Sequence, residues 1–223
     1  IILMLKAIGS WQNGAMRKEL QKLVDQIRDP DKRQLSEDYG ETVMYGSFGI
    51  IKTAVGLLSG SFLVTIHGMY SLMNARAEGL NANMVKHQDP DSNRRNMIRS
   101  GLLVAGMSVA YIITVILTRG DTKWDTYSGW LAWAMLAVQV GEIVWNIACY
   151  FYYSKKHNLS SEISAVVSLS GSLVGVALVQ TCLLFPARDP KVQTLNITTG
   201  IIMGLLSTGL GIFLVYKGRK INN

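Results

Sequence analysis

The stretch that decides the fold is 129-GWLAWAMLAVQVGEIVWNIACYFYY-153. At ~1.5 Å of rise per residue it is long enough to cross the ~30 Å hydrocarbon core of a bilayer as a helix. Near its middle it carries one charged side chain, Glu142. Gln139 and Asn146 stand three and four residues away, so the three polar groups share one helix face. Trp130, Trp133 and Trp145 frame this region, Trp130 at the level where indole rings anchor at a membrane surface.

The rest of the chain is built the same way. Hydrophobic residues make up 49% of it and charged ones 17%. A soluble domain disperses its apolar residues among charged ones, whereas here they gather in blocks of about 20, the length of a spanning helix. Residues 43–72, 101–118, 163–185 and 197–216 join 129–153 to predict an all-α, polytopic transmembrane helical bundle of five spans, with four or six as alternatives. The transmembrane domain is expected at 43–223, and the polar run from Asn74 to Leu80 is expected to carry the first helix out of the membrane.

Residues 1–42 read as an amphipathic helix and a polar linker. Over 14–28, Met16, Leu20, Leu23, Val24 and Ile27 fall on one helical face, and Arg17, Lys18, Lys22 and Asp25 on the other. Such a helix lies along headgroups or docks on a partner. Pro30 ends it, and residues 29–42 form the linker. The chain starts at Ile1, as a processed or partial chain would. If residues 1–5 end an earlier span, the total becomes six.

The formal charge is +7. The basic residues sit between apolar blocks, so they point to membrane orientation before nucleic acid. Loop 81–100, turn 154–157 and the C-terminus are basic, whereas 119–128 and 187–196 are nearly balanced. Five spans place the three basic segments on one side, which the positive-inside tendency makes the cytoplasm. That order puts residues 1–42 outside. Asp-Pro recurs at 29–30, 89–90 and 189–190, and reads as turn and helix-start chemistry rather than as a repeat unit.

An ionisable group inside a span normally faces the bundle interior or a water-filled cavity. Glu142, Asn146 and Gln139 therefore define a candidate polar site, with Lys52 as the natural counter-charge. In the five-span order Lys52 stands about 8–10 Å from Glu142 along the membrane normal, a gap two long side chains largely close. The pair is either a cation- or proton-responsive site or a structural clamp, unless Lys52 snorkels to the surface. His67 and Gln180 are secondary candidates. Helix packing is expected at the small-xxx-small pairs Gly56/Gly60, Gly171/Gly175 and Gly200/Gly204.

Catalytic classes find little support. The predicted spans hold no Asp, no HExxH and no second carboxylate, and no GxxxxGK[ST] loop occurs. No metal or other cofactor is called for, and Cys149 and Cys182 read as small apolar fillers.

The segments 160-SSEISAVVSLSGSLVGVALVQTCLLF-185, 211-GIFLVYKGRK-220 and 48-FGIIKTAVGLLSGSFLVTIHGMYSL-72 resemble uncharacterised polytopic membrane proteins of Gram-positive bacteria. The resemblance covers about half the chain. It implies a bacterial plasma membrane and supplies no activity or catalytic residues. The expected function is a non-enzymatic membrane component that packs through its Gly/Ser faces, on itself or on a partner subunit. The alternatives are a small transporter or channel with its polar site at Glu142, and a membrane-embedded enzyme acting on lipid.

Overall fold

The computed structural model describes residues 30–87, 90–119, 129–155, 159–184 and 190–220. These form six helices: α1 (Pro30–Ser59), α2 (Phe62–His87), α3 (Pro90–Thr118), α4 (Gly129–Tyr153), α5 (Leu159–Leu184) and α6 (Pro190–Lys220). Among the described residues there is no strand. Among the described residues four helices, α1, α3, α5 and α6, are by length and composition apolar enough to cross a membrane. The amphipathic helix expected at 14–28 lies outside the described residues. Helices α1, α3 and α6 each begin on the proline of an Asp-Pro pair, where the missing N–H costs the helix nothing.

The block 43–72, expected as one span, is two helices folded back on each other. Gly60 has φ 68°, in the left-handed region that glycine enters most easily. Its N–H donates to Leu57 O (3.2 Å) and the Ser61 N–H donates to Gly56 O (2.9 Å). This pair of bonds closes the last turn of α1 as a Schellman motif. Ser61 Oγ then accepts from the Val64 N–H at 3.4 Å and caps α2. Gly60 is thus a turn residue and not part of a packing face; no atom lies within 4 Å of where its Cβ would stand.

This turn adds a sixth helix from inside the first block and reverses the start of the bundle. Gln34 near the start of α1 donates to Ser160 and Ser161 at the start of α5 (3.2 and 3.1 Å). Asn81 near the end of α2 donates to Ser160 O (3.0 Å), and Lys217 near the end of α6 pairs with Glu162. The start of α1 therefore lies at the same end of the bundle as the basic segments, contrary to the expectation for residues 1–42. Nor are residues 30–42 a linker: they are the first turns of α1, with Gln34, Asp38 and Glu41 buried.

The distribution of side chains is that of a bundle surrounded by lipid. The buried face of α1 reads Gln34, Asp38, Glu41, Tyr45, Gly49, Lys52 and Gly56, while Val43, Ile50, Leu57 and Leu58 face outward. Helix α6 buries Gly200, Gly204, Ser207, Gly211 and Gly218, and exposes Ile202, Leu205, Leu206, Ile212 and Phe213. A water-solvated helix would be arranged the other way round.

Without a hydrophobic force between helices in lipid, close approach is what holds them together. Helices α1 and α2 meet through Gly49, Gly56 and Gly68; a Cβ on Gly49 would lie 2.6 Å from Leu72 Cγ, and one on Gly56 would strike the Thr65 backbone. Helices α3 and α6 meet backbone to backbone: a Cβ on Gly101 would lie 2.6 Å from Gly211 O, and one on Gly211 2.7 Å from Gly101 O. Gly200 seats Val115, and Gly204 seats Ile112 and Tyr111. The expected faces Gly56, Gly171, Gly175, Gly200 and Gly204 are thus occupied by neighbouring helices of the same chain. A hydroxyl knot completes the frame. Tyr70 Oη meets Ser170 Oγ, Ser207 Oγ (2.6 Å) and Ser108 Oγ (3.3 Å), joining α2, α5, α6 and α3.

Replacing Gly60 by Ala forces a Cβ into the left-handed region and should destabilise the protein by about 1–2 kcal/mol. Gly106→Ala, at a helix-interior position with open space around its Cβ, should be neutral or slightly stabilising. Melting midpoints in detergent test the pair; equal shifts for both would mean that the turn is not conformationally constrained.

Candidate functional site: a buried polar column

Helix α2 is not among the four helices apolar enough to span alone, and its sequence shows why. His67, Ser71, Asn74, Glu78 and Asn81 recur at alternating steps of four and three, which stacks them on one helical face. All five are buried. They extend over about 21 Å, two thirds of a hydrocarbon core. The run Asn74 to Leu80 therefore stays within the bundle, with Asn74, Ala75, Ala77, Glu78 and Leu80 buried and Arg76 exposed.

At one end of this face stands Lys52, fully buried and paired with Glu142. Glu142 Oε2 accepts from the ammonium, and Oε1 accepts from Ser71 Oγ at 2.9 Å. Lys52 Nζ also lies 3.4 Å from Ser71 Oγ and 3.5 Å from His67 Nδ1. In the tautomer that leaves Nδ1 as an acceptor, all three N–H bonds of the ammonium have acceptors. With Lys52 donating to Nδ1, the ring proton of His67 sits on Nε2, which has no hydrogen-bond partner among the described residues. The Phe48 ring, 5.9 Å from Nζ, covers the charge. The turn at Gly60 explains why the expected 8–10 Å gap is absent: it places Lys52 on a separate helix, at the level of Glu142. Lys52 does not snorkel.

In the middle, Tyr45 Oη donates to Asn146 Oδ1 (2.8 Å) and lies 3.1 Å from Ser168 Oγ. Gly171 makes room for two amides, since a Cβ there would fall 2.8 Å from Asn146 Nδ2 and 3.0 Å from Asn74 Nδ2. Gln139 lies over Gly175, and neither atom of its amide has a partner among the described residues. Gln180 is not part of this site. It donates to Thr199 Oγ1 (3.0 Å) and toward Asn196 Oδ1 (3.4 Å), tying α5 to α6.

At the other end the structure adds carboxylates that the sequence reading placed outside the membrane. Glu78 Oε2 accepts from Ser164 Oγ (2.7 Å), which in turn accepts from Asn81 Nδ2 (2.7 Å). Asp38 and Glu41 are its charged neighbours on α1, and Ser160 Oγ reaches Asp38 Oδ2 at 3.4 Å. Cys149 and Tyr153 of α4 stand beside Glu41. Buried carboxylates of α1 and α2 thus gather at the basic end of the bundle. Their signal was present in the sequence: Gln34, Asp38, Glu41, Tyr45 and Lys52 share the helical period of the α2 stripe.

Chemically, the column offers an ammonium–carboxylate pair at one end, carboxylates at the other, and hydroxyls and amides between. Among the described residues no His, Cys, Asp and Glu group is arranged to hold a metal ion. No family model, curated protein or solved structure matches the chain.

Removing one partner of a buried ion pair strands the other charge and costs about 3–5 kcal/mol. Lys52→Met and Glu142→Gln should each lower detergent stability by that order, and the double variant should recover most of the loss. Equal stability of all three variants would rule out the ion pair.

Proposed function

We propose that the protein is a small transporter or channel whose polar column carries protons or small cations, with Glu142 as the exchanging carboxylate and Lys52 as its counter-charge. One observation carries this reading. Buried polar groups recur along α1 from Lys52 to Gln34 and along the facing side of α2, and His67 Nε2, Glu78 Oε1, Asn81 Oδ1, Asn146 Nδ2 and both amide atoms of Gln139 have no hydrogen-bond partner among the described residues. A buried polar atom left unsatisfied costs about 1–3 kcal/mol. A helix clamp has no use for such groups, whereas a conducting path needs atoms free to bind what passes.

A second reading, a structural membrane component, draws on the Lys52 ammonium, whose three N–H bonds all meet acceptors. The setting that fits both is a bacterial plasma membrane. The basic end of the bundle faces the cytoplasm by the positive-inside tendency, and both the start of α1 and the C-terminus lie at that end. The outward apolar faces serve lipid, a second copy or a partner subunit.

In proteoliposomes under an imposed potential, the wild-type chain should acidify or alkalinise the lumen faster than empty vesicles, and Glu142→Gln should slow this at least tenfold while the protein stays folded. Wild-type flux no faster than that of empty vesicles would overturn the transport reading. Cysteines at positions 36 and 92 should label from one side of intact cells and position 122 from the other. Opposite accessibility for 36 and 92 would refute the six-helix order.

A further inference from the structure

We propose that the crossing of α3 and α6 at the basic end of the bundle binds the headgroup of an anionic phospholipid. Gly218 makes the crossing close: a Cβ there would lie 2.9 Å from Ile98 Cγ1 and 3.5 Å from Arg94 O. Arg94 and Arg99 stand within about one turn of Ile98 on α3, and Arg219 and Lys220 directly follow Gly218 on α6. Cationic side chains of two helices are thus gathered at one level, around a close helix contact. Segments 81–100 and 217–220 carry seven basic residues and two carboxylates, Asp89 and Asp91, and Lys217 pairs with Glu162 of α5. With all three carboxylates paired, four positive charges are still left over. Residues 1–29 are themselves net basic, so the excess does not depend on where they lie.

The surface next to these charges is apolar. Leu102 faces outward on α3, and Ile212, Phe213 and Tyr216 face outward on α6. The Lys220 ammonium lies over the Tyr216 ring, 4.7 Å from its centroid, at the level where aromatic side chains meet headgroups. Guanidinium forks match phosphate oxygens, and the outward apolar residues match acyl chains. A ligand that covers both surfaces carries a negative headgroup on an apolar tail. An RNA or an acidic peptide would cover the charges and leave the apolar residues bare. The site stands apart from the polar column and does not rest on the transport reading.

The test titrates the full chain, in a non-ionic detergent, with dioleoylphosphatidylglycerol and reads the complexes by native mass spectrometry. One phosphatidylglycerol per chain should be held about tenfold or more tightly than dioleoylphosphatidylcholine, which has the same acyl chains. Arg99→Gln and Arg219→Gln should each weaken binding about fivefold, and the double variant about 25-fold. Both side chains are exposed, so the melting midpoint should not move; should either variant fail to fold, Lys220→Gln carries the same expectation. Lys155→Gln removes an exposed positive charge just past α4, at the same end of the bundle, and should bind the lipid like the wild type. Glu142→Gln should do so as well, which separates failure of this site from failure of the transport reading. Equal affinity for the two lipids would overturn the proposal. An equal loss in Lys155→Gln and Arg219→Gln would show general attraction to the basic end and overturn it too. Displacement of the lipid by millimolar inorganic phosphate would show a site for the free ion, with the same consequence.

Discussion

A lysine ammonium buried among helices must find a counter-charge, and in this protein it finds Glu142. Residues 52 and 142 are far apart in the chain, so their meeting ties the first helix to the fourth. The pair requires that α2 approach closely enough to bring Ser71 and His67 beside it. Gly68 makes that approach possible. A Cβ there would strike the backbone of Thr53 and lie 2.9 Å from the carbonyl carbon of Lys52 itself. The residue that carries the charge is thus seated directly on the glycine of the neighbouring helix, and any bulk at position 68 would push the ammonium away from its acceptors. The turn at Gly60–Ser61 sets the register in which Lys52 and Gly68 face each other.

From that constraint the bundle divides into two parts with different physics. Helices α1, α2, α4 and α5 surround the polar column, and hydrogen bonds between side chains hold them together. Helices α3 and α6 pack backbone to backbone through Gly101 and Gly211, and dispersion at short range does most of the work there. The hydroxyls of Tyr70, Ser108, Ser170 and Ser207 connect the two parts, because α2 and α5 take part in both. Lys217–Glu162, half exposed at the basic end, adds little, as surface pairs contribute about 0–1 kcal/mol.

The helical class was legible from block length and charge spacing, because lipid imposes both on the sequence directly. The contact between Lys52 and Glu142 was legible as well, since an isolated charge in an apolar run stands out. The column was not. Gln34, Asp38, Glu41, Glu78 and Asn81 lie in stretches whose mean composition is polar, and an average over residues hides which face carries the polarity. The helical period of those positions holds the information. The turn was missed for a related reason. In Ser59-Gly60-Ser61 the glycine fits a small-xxx-small register as well as a helix end, and only the backbone dihedral separates the two.

The same averaging explains how a helix as polar as α2 can lie inside a membrane protein. A charged side chain at the centre of an isolated spanning helix costs about 2.5–3.5 kcal/mol on insertion scales. Helix α2 carries Glu78 and Arg76 besides His67 and its asparagines. Alone it would be a poor span, and it is not one of the four that are apolar enough. Paired with α1 across a two-residue turn, it shares a unit whose outer surface is Val43, Ile50, Ile51, Leu57 and Leu58. The apolar face of α1 meets lipid while its polar face meets the polar face of α2. The hairpin is therefore the smallest part of this chain in which the column can be shielded, and the tightness of its turn is part of what makes a polar interior tolerable.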